Sequence, residues 1–131
     1  VFTAWRNHYH AMLHGVPSAV MLDQIFSGNS MGMNYDKPFL YSSSIVGGII
    51  PIALGVAIAQ KRLNSRRKVW CFIGDMTSET GIAHECIKYS NNFKLPIKFI
   101  VEDNGLSTNT PTKNAWSIIS KKPNDISIKN V

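Results

Sequence analysis

Residues 69–112 read VWCFIGDMTSETGIAHECIKYSNNFKLPIKFIVEDNGLSTNTPT, and the fold is decided inside this stretch. Residues 69–73 are a short apolar run that stops at Gly74-Asp75. Residues 97–101 are a second, β-branched run that stops at Glu102-Asp103-Asn104-Gly105. Between them, residues 79–92 carry Ile82, Cys86 and Tyr89 at helical spacing, continued by Phe93. A strand, helix and strand of this length make a βαβ unit with parallel strands and a right-handed crossover. Both polar turns therefore lie at the carboxyl edge of one sheet, where open α/β sheets hold their ligands. Asp75 and Asn104, each preceded there by an apolar strand, make a hard-oxygen pair suited to Mg²⁺. That ion takes an octahedral shell of oxygens and usually completes it with phosphate and water.

Gly74-Asp75, with 28 residues between Asp75 and Asn104, resembles the thiamine diphosphate motif that opens with Gly-Asp-Gly and closes with Asn-Asn. Asp103-Asn104-Gly105 followed by Thr110-Pro111-Thr112 looks most like alpha subunits of 2-oxo acid dehydrogenases, especially the branched-chain type. Ile45-Val46-Gly47-Gly48 with Pro51 and Gly55-Val56-Ala57 is similar to a block of the same subunits, and Trp5-Arg6-Asn7-His8 resembles their Tyr-Arg-x-His stretch. The likeness runs from about Trp5 to Thr112, and its motifs come in the family's order.

The resemblance implies an α/β chain with the three-layer αβα thiamine-diphosphate-binding fold and a mostly parallel sheet. Residues 1–131 would be a partial domain of a longer chain. It also implies roles for single residues. Asp75, Asn104 and Leu106, the last through its carbonyl, would hold Mg²⁺. Gly74, Asp75, Met76, Thr77, Asn104 and Arg6 would surround the diphosphate. Ser44 and Val46 would grip the aminopyrimidine ring, and His8 would be the active-site histidine. Three positions depart from the family pattern: Met76 stands in place of the motif's third glycine, Ser44 in place of a glycine, and Asn34 in place of a histidine. At Met76 and Ser44 the departure matters only if the backbone there needs a positive φ.

Composition sets the outer limits. At 131 residues the chain is one domain at most, able to bury about two-thirds of its unfolded surface. Hydrophobic residues make up 44%, enough for an ordinary core. No apolar run approaches about 20 residues, so no membrane span is expected. Cys71 and Cys86 show no metal or disulfide-framework spacing and fit a reducing, cytoplasmic setting with buried thiols. The net charge of +6 gathers at Lys61-Arg62, Arg66-Arg67-Lys68 and Lys121-Lys122. This reads as a solvated helix end and its loop, with no aromatic or polar readers of nucleic acid.

Outside the opening stretch the local patterns predict further elements. Trp5, Tyr9 and Met12 are spaced as a helix over residues 1–13, and Pro17 opens a short helix over Ser18–Phe26. Residues 27–34 and 41–48 read as loops, residues 49–63 as a helix with Pro51 in its first turns, and residues 116–120 as a further helix start. Gly55 suggests close approach of another backbone. His10 and His14 stand at i and i+4 but lack the further ligands of a zinc motif.

The function implied by the resemblance is that of an alpha-type subunit in a thiamine diphosphate- and Mg²⁺-dependent enzyme. It would decarboxylate a 2-oxo acid oxidatively and pass the acyl group to lipoamide. The glutamate that serves the pyrimidine ring comes, in the family, from a beta-type subunit, so an α₂β₂ partner is implied, with a lipoyl acyltransferase core behind it. One alternative is a transketolase-like amino-terminal subunit transferring a two-carbon ketol unit, since such subunits carry a similar Asn-Gly-Leu. The other is a catalytically silent scaffold subunit.

Overall fold

The computed structural model describes residues 1–5 and 7–115 and the backbone of residues 126–130. Arg6 and the helix expected at 116–120 lie outside the described residues. In chain order the elements are β1 (Phe2–Ala4), α1 (His8–Leu13), α2 (Ser18–Phe26), β2 (Asn34–Tyr35), β3 (Leu40–Ser43) and α3 (Ile49–Arg62). They continue as β4 (Val69–Gly74), α4 (Asp75–Ser78), α5 (Gly81–Asn92), β5 (Ile97–Asp103), β6 (Leu106–Ser107), β7 (Thr110–Pro111), α6 (Thr112–Ala115) and β8 (Ile126–Asn130).

Six strands form one sheet in the order β2-β3-β1-β4-β5-β8. Every pairing is parallel except β2 with β3. Successive strand residues face opposite sides, and the two sides are covered separately. Val69, Cys71, Ile73, Phe99 and Val101 pack with Ile49, Ile50, Ala53 and Ala57 of α3 and Ala83, Cys86 and Ile87 of α5. On the other side Leu40 packs with Ala11, Val16, Met21 and Met33, next to α1 and α2. The result is the expected three-layer α/β architecture with a mostly parallel sheet. No helix among the described residues is long and apolar enough to cross a membrane.

β4, α5 and β5 form the expected crossover unit, with Val69 through Gly74 paired in register to Ile97 through Glu102. Its helix differs in two ways. It is broken: α4 is a single turn beginning at Asp75, and α5 restarts at Gly81 with Thr80 as its N-cap, the Thr80 hydroxyl accepting the Ala83 N–H at 3.4 Å. The buried stripe is also different, running through Ala83, Cys86, Ile87 and Ser90, while Ile82, Tyr89 and Phe93 are exposed. Small residues on this face, with Ala53 and Ala57 of α3 buried in the same cluster, let the two helices pack closely.

Two other expectations are corrected. A helix over residues 1–13 is replaced by β1 and a shorter α1, because Phe2, Thr3 and Ala4 ladder with β3 and Phe2 also pairs with Cys71 of β4. Tyr9 and Met12 of the expected stripe are exposed, and His10 and Ala11 are buried instead. The loop expected over 41–48 begins as β3, whose Ser42 is buried opposite Thr3. In both places strand pairing overrides weak local preference. The helix predicted over 49–63 is observed as α3, with Pro51 in its first turn. A Cβ at Gly55 would meet nothing within 4 Å, so no other element among the described residues approaches its backbone. Lys61 and Arg62 do end α3, as expected of a solvated helix terminus, and the Lys61 ammonium donates to the Phe93 carbonyl.

Candidate cofactor and metal site

The in-register pairing of Gly74 with Glu102 sets the residues that follow them, Asp75 and Asp103, side by side at the carboxyl edge. Asp75 is buried at 7% exposure. Its Oδ1 accepts the Met76 N–H at 2.7 Å, and its carbonyl accepts the Ser78 hydroxyl at 2.6 Å. Oδ2 is buried and makes no hydrogen bond among the described residues, while the carboxyl as a whole also interacts with Asp103 and the Gly105 N–H. Burial pushes the Asp75 carboxyl above its ordinary pKa of 3.8, the Met76 N–H pulls against that, and the Asp103 carboxyl beside it adds to the rise.

Asn104 follows on an exposed turn. Its Oδ1 accepts the Leu106 N–H at 2.9 Å, while Asp103 Oδ1 accepts the Gly105 N–H at 3.2 Å. Gly105 has φ +69, a left-handed conformation that glycine takes without steric cost, and its carbonyl accepts the Thr112 N–H at 2.9 Å. That bond ties the turn to the β6–β7 hairpin, in which Leu106 pairs with Pro111. α4 contacts both β5 and β6, so Gly74, Asp75, Met76, Thr77, Asn104 and Leu106 are gathered in one place.

The donor set fits Mg²⁺. An unpartnered buried carboxylate oxygen is costly, and a divalent cation supplies the partner Asp75 Oδ2 lacks. The Asn104 amide oxygen keeps a second lone pair after accepting Leu106 N–H, and the Leu106 carbonyl is a third hard oxygen. Among the described residues no group of three or more His, Cys, Asp or Glu side chains could hold a metal. His10 and His14 make no zinc site: His10 packs between Tyr9 and Phe72.

Met76 and Ser44 do not have positive φ, so a side chain at either place carries no backbone strain. Gly74 is extended at φ −72 and ψ 162. The helix expected to aim its dipole at a diphosphate is only the single turn of α4. Its macrodipole is small, and close contact would rest on individual N–H groups instead.

Ser44 and Val46 lie between β3 and α3, at the same sheet edge but two strands from β4, roughly 10 Å away. Ile45 and Val46 are exposed at 71% and 70% and form an apolar projection. Gly47, at φ +76, holds this loop against the start of α5: a Cβ there would stand 2.9 Å from Ile82 Cγ2. His8 opens α1, just beyond the carboxyl end of β1, and its Nε2 is buried with no hydrogen-bond partner among the described residues. Asn34 lies on β2 opposite Tyr41, in the first half of β3 and away from this edge.

Two features escaped the sequence reading. One is the closeness of Asp103 to Asp75. The other is a group around Glu102, which accepts the Tyr9 hydroxyl at 2.9 Å and meets His10 Nε2 at 3.3 Å. Burial raises the Glu102 carboxyl's pKa, but the His10 and Tyr9 contacts outweigh it and hold the value low.

Residues 1–125 match the dehydrogenase E1 component family. The chain is 25% identical over 135 aligned residues to the alpha subunit of the pyruvate dehydrogenase E1 component of Zymomonas mobilis, covering 93% of this chain and 38% of that protein. It is 31% identical to the alpha subunit of acetoin:2,6-dichlorophenolindophenol oxidoreductase of Bacillus subtilis, with 81% and 35% covered. It is 29% identical to the alpha subunit of mouse mitochondrial 2-oxoisovalerate dehydrogenase, with 88% and 28% covered. The chain thus spans about a third of the length of these relatives. In fold it is similar to the X-ray structure of a Mycobacterium smegmatis protein described as a thiamin diphosphate-dependent enzyme, with a TM-score of 0.52, 21% identity, and 85% of this chain and 19% of that one covered.

Proposed function

The chain belongs to the dehydrogenase E1 component family, and from that premise we propose that it is the diphosphate- and Mg²⁺-binding part of an alpha-type E1 subunit acting on a 2-oxo acid. The observation that carries this reading is the buried, unpartnered Oδ2 of Asp75 beside Asp103 at the carboxyl edge of β4 and β5. Asp75, Asn104 and the Leu106 carbonyl would hold Mg²⁺, and Gly74, Met76 and Thr77, with Arg6, would surround the diphosphate. Thiamine diphosphate, when bound, supplies the thiazolium carbon that attacks a 2-oxo acid and takes up the electrons left by decarboxylation. The chain's own share is to fix that group: Asp75 and Asn104 anchor one end, and the Ser44–Val46 loop supports the ring. His8, with its shielded and unbonded Nε2, is the group available to hold or move a proton near the substrate.

A beta-type partner in an α₂β₂ assembly belongs to the same proposal, as do acyl transfer to lipoamide, a lipoyl acyltransferase core and a cytoplasmic location. The exposed Ile45 and Val46 at the cofactor edge support a partner surface there. The two free buried thiols support a reducing compartment. Relatives named for pyruvate, acetoin and 2-oxoisovalerate define the first substrates to try.

The test is dye reduction by the full-length chain with its beta-type partner. Pyruvate or a branched-chain 2-oxo acid should reduce 2,6-dichlorophenolindophenol in a thiamine diphosphate-dependent way. Ketol transfer between sugar phosphates, with no turnover of 2-oxo acids, would replace this reading with the transketolase-like one. Neither activity would leave a scaffold role.

A further inference from the structure

A group of side chains around Glu102 joins three elements at the site. Asn7 Nδ2 donates to Thr3 Oγ1 at 2.6 Å, and Thr3 Oγ1, fully buried, lies 3.4 Å from His10 Nδ1. His10 Nε2 lies 3.3 Å from Glu102 Oε1, and the same oxygen accepts the Tyr9 hydroxyl at 2.9 Å. One set of proton positions satisfies every member. The Asn7 amide donates to Thr3, the Thr3 hydroxyl donates to Nδ1 of His10 in its Nε2–H tautomer, and Nε2–H donates to Glu102. The His10 ring is held 4.3 Å from the Phe72 ring of β4. Thr3 belongs to β1, Asn7 through His10 to the start of α1, and Glu102 to the end of β5, so the network crosses the sheet edge from one side of β4 to the other.

We propose that Glu102 is a positioning residue that locks α1, and with it His8, to the strand end that carries Asn104. The inference rests on the cofactor reading above and deepens it. α1 has no side-chain cap at its amino end, because the Asn7 amide is turned to Thr3, and the helix is only six residues long. So short a helix does not hold its own orientation. Its anchors to the far strand are the two hydrogen bonds to Glu102. Glu102 is followed at once by Asp103 and Asn104, so a shift of α1 pulls on the metal turn and a shift of the turn moves His8.

The test is calorimetric binding of thiamine diphosphate at saturating Mg²⁺ to the full-length chain with its partner, read beside the melting temperature. Glu102→Leu, which removes both hydrogen bonds, should weaken binding roughly tenfold, the scale of a lost hydrogen bond to a charged group. Glu102→Gln, which keeps an acceptor oxygen, should recover most of that loss. If Glu102→Leu is insoluble, Tyr9→Phe tests the same link at a half-exposed ring and should cost roughly threefold. A lower melting temperature with unchanged affinity would mean a merely structural role and overturn the inference. No binding by the unaltered protein would remove the cofactor reading and this inference together. Normal binding there, with equal binding by Glu102→Leu, overturns this inference alone.

Discussion

Asp75 and Asp103 stand side by side at the ends of two adjacent parallel strands, with their carboxyls close enough to interact. Two acids so placed, one of them buried, disfavour each other's charge. A divalent cation between the strand ends turns that repulsion into attraction. The site is thus built at a cost to the apoprotein, as ligand sites commonly are.

The cost has a pH signature. The Asp75 carboxyl is raised by burial and by Asp103, so the folded protein holds that proton longer than the unfolded chain. Stability of the apoprotein should fall as pH rises from about 3.8 through the raised value, and return on acidification. Asp75→Asn should therefore raise the melting temperature of the apoprotein at neutral pH, by a few degrees at most. Calorimetric melts at several pH values check this. A lower melting temperature for the variant at neutral pH would contradict it.

Gly47 should not tolerate a side chain. Its positive φ disfavours alanine by about 1–2 kcal/mol, and the new Cβ would meet Ile82 at 2.9 Å. Gly47→Ala should cost about 2 kcal/mol or more in urea unfolding. Ile82→Ala in the same chain should return the steric part and leave the backbone part.

Core and site substitutions should separate. Ile50 is fully buried under the sheet, and Ile50→Ala should destabilise by about 2–5 kcal/mol. Val46→Ala, at 70% exposure, should change stability by no more than about 0.5 kcal/mol. It should nevertheless weaken thiamine diphosphate binding, measured by calorimetry, and unchanged affinity would contradict a contact between the Val46 side chain and the ring.

Both thiols should be silent in the native protein. Burial pushes Cys71 up to about 12 and raises Cys86 as well. A disulfide-exchange reagent at pH 8 should find almost no reactive thiol until denaturant is added, and then two.

What the sequence shows best is what is locally written. β4 and β5 are apolar runs stopped by Gly-Asp and Glu-Asp-Asn-Gly, and their parallel direction follows from the crossover. That Asp75 and Asn104 share one edge is therefore legible in the sequence. β1 and β3 were not visible, because three or four residues containing Thr3, Ser42 and Ser43 become strands only through their neighbours. The apolar spacing in α5 points to Ile82, Tyr89 and Phe93, whereas the buried face is Ala83, Cys86, Ile87 and Ser90, mostly small residues that let α3 come near. Gly47 against Ile82 and His10 against Glu102 join residues 35 and 92 positions apart. No local pattern reports contacts of that kind.

The most direct measurement is a calorimetric titration of thiamine diphosphate, with and without Mg²⁺, into the full-length chain with its beta-type partner, beside the same titration of Asp75→Ala. We expect binding that requires Mg²⁺ and is lost in Asp75→Ala. Binding that ignores Mg²⁺ or survives the substitution would contradict the assignment of Asp75 as the anchor of the site.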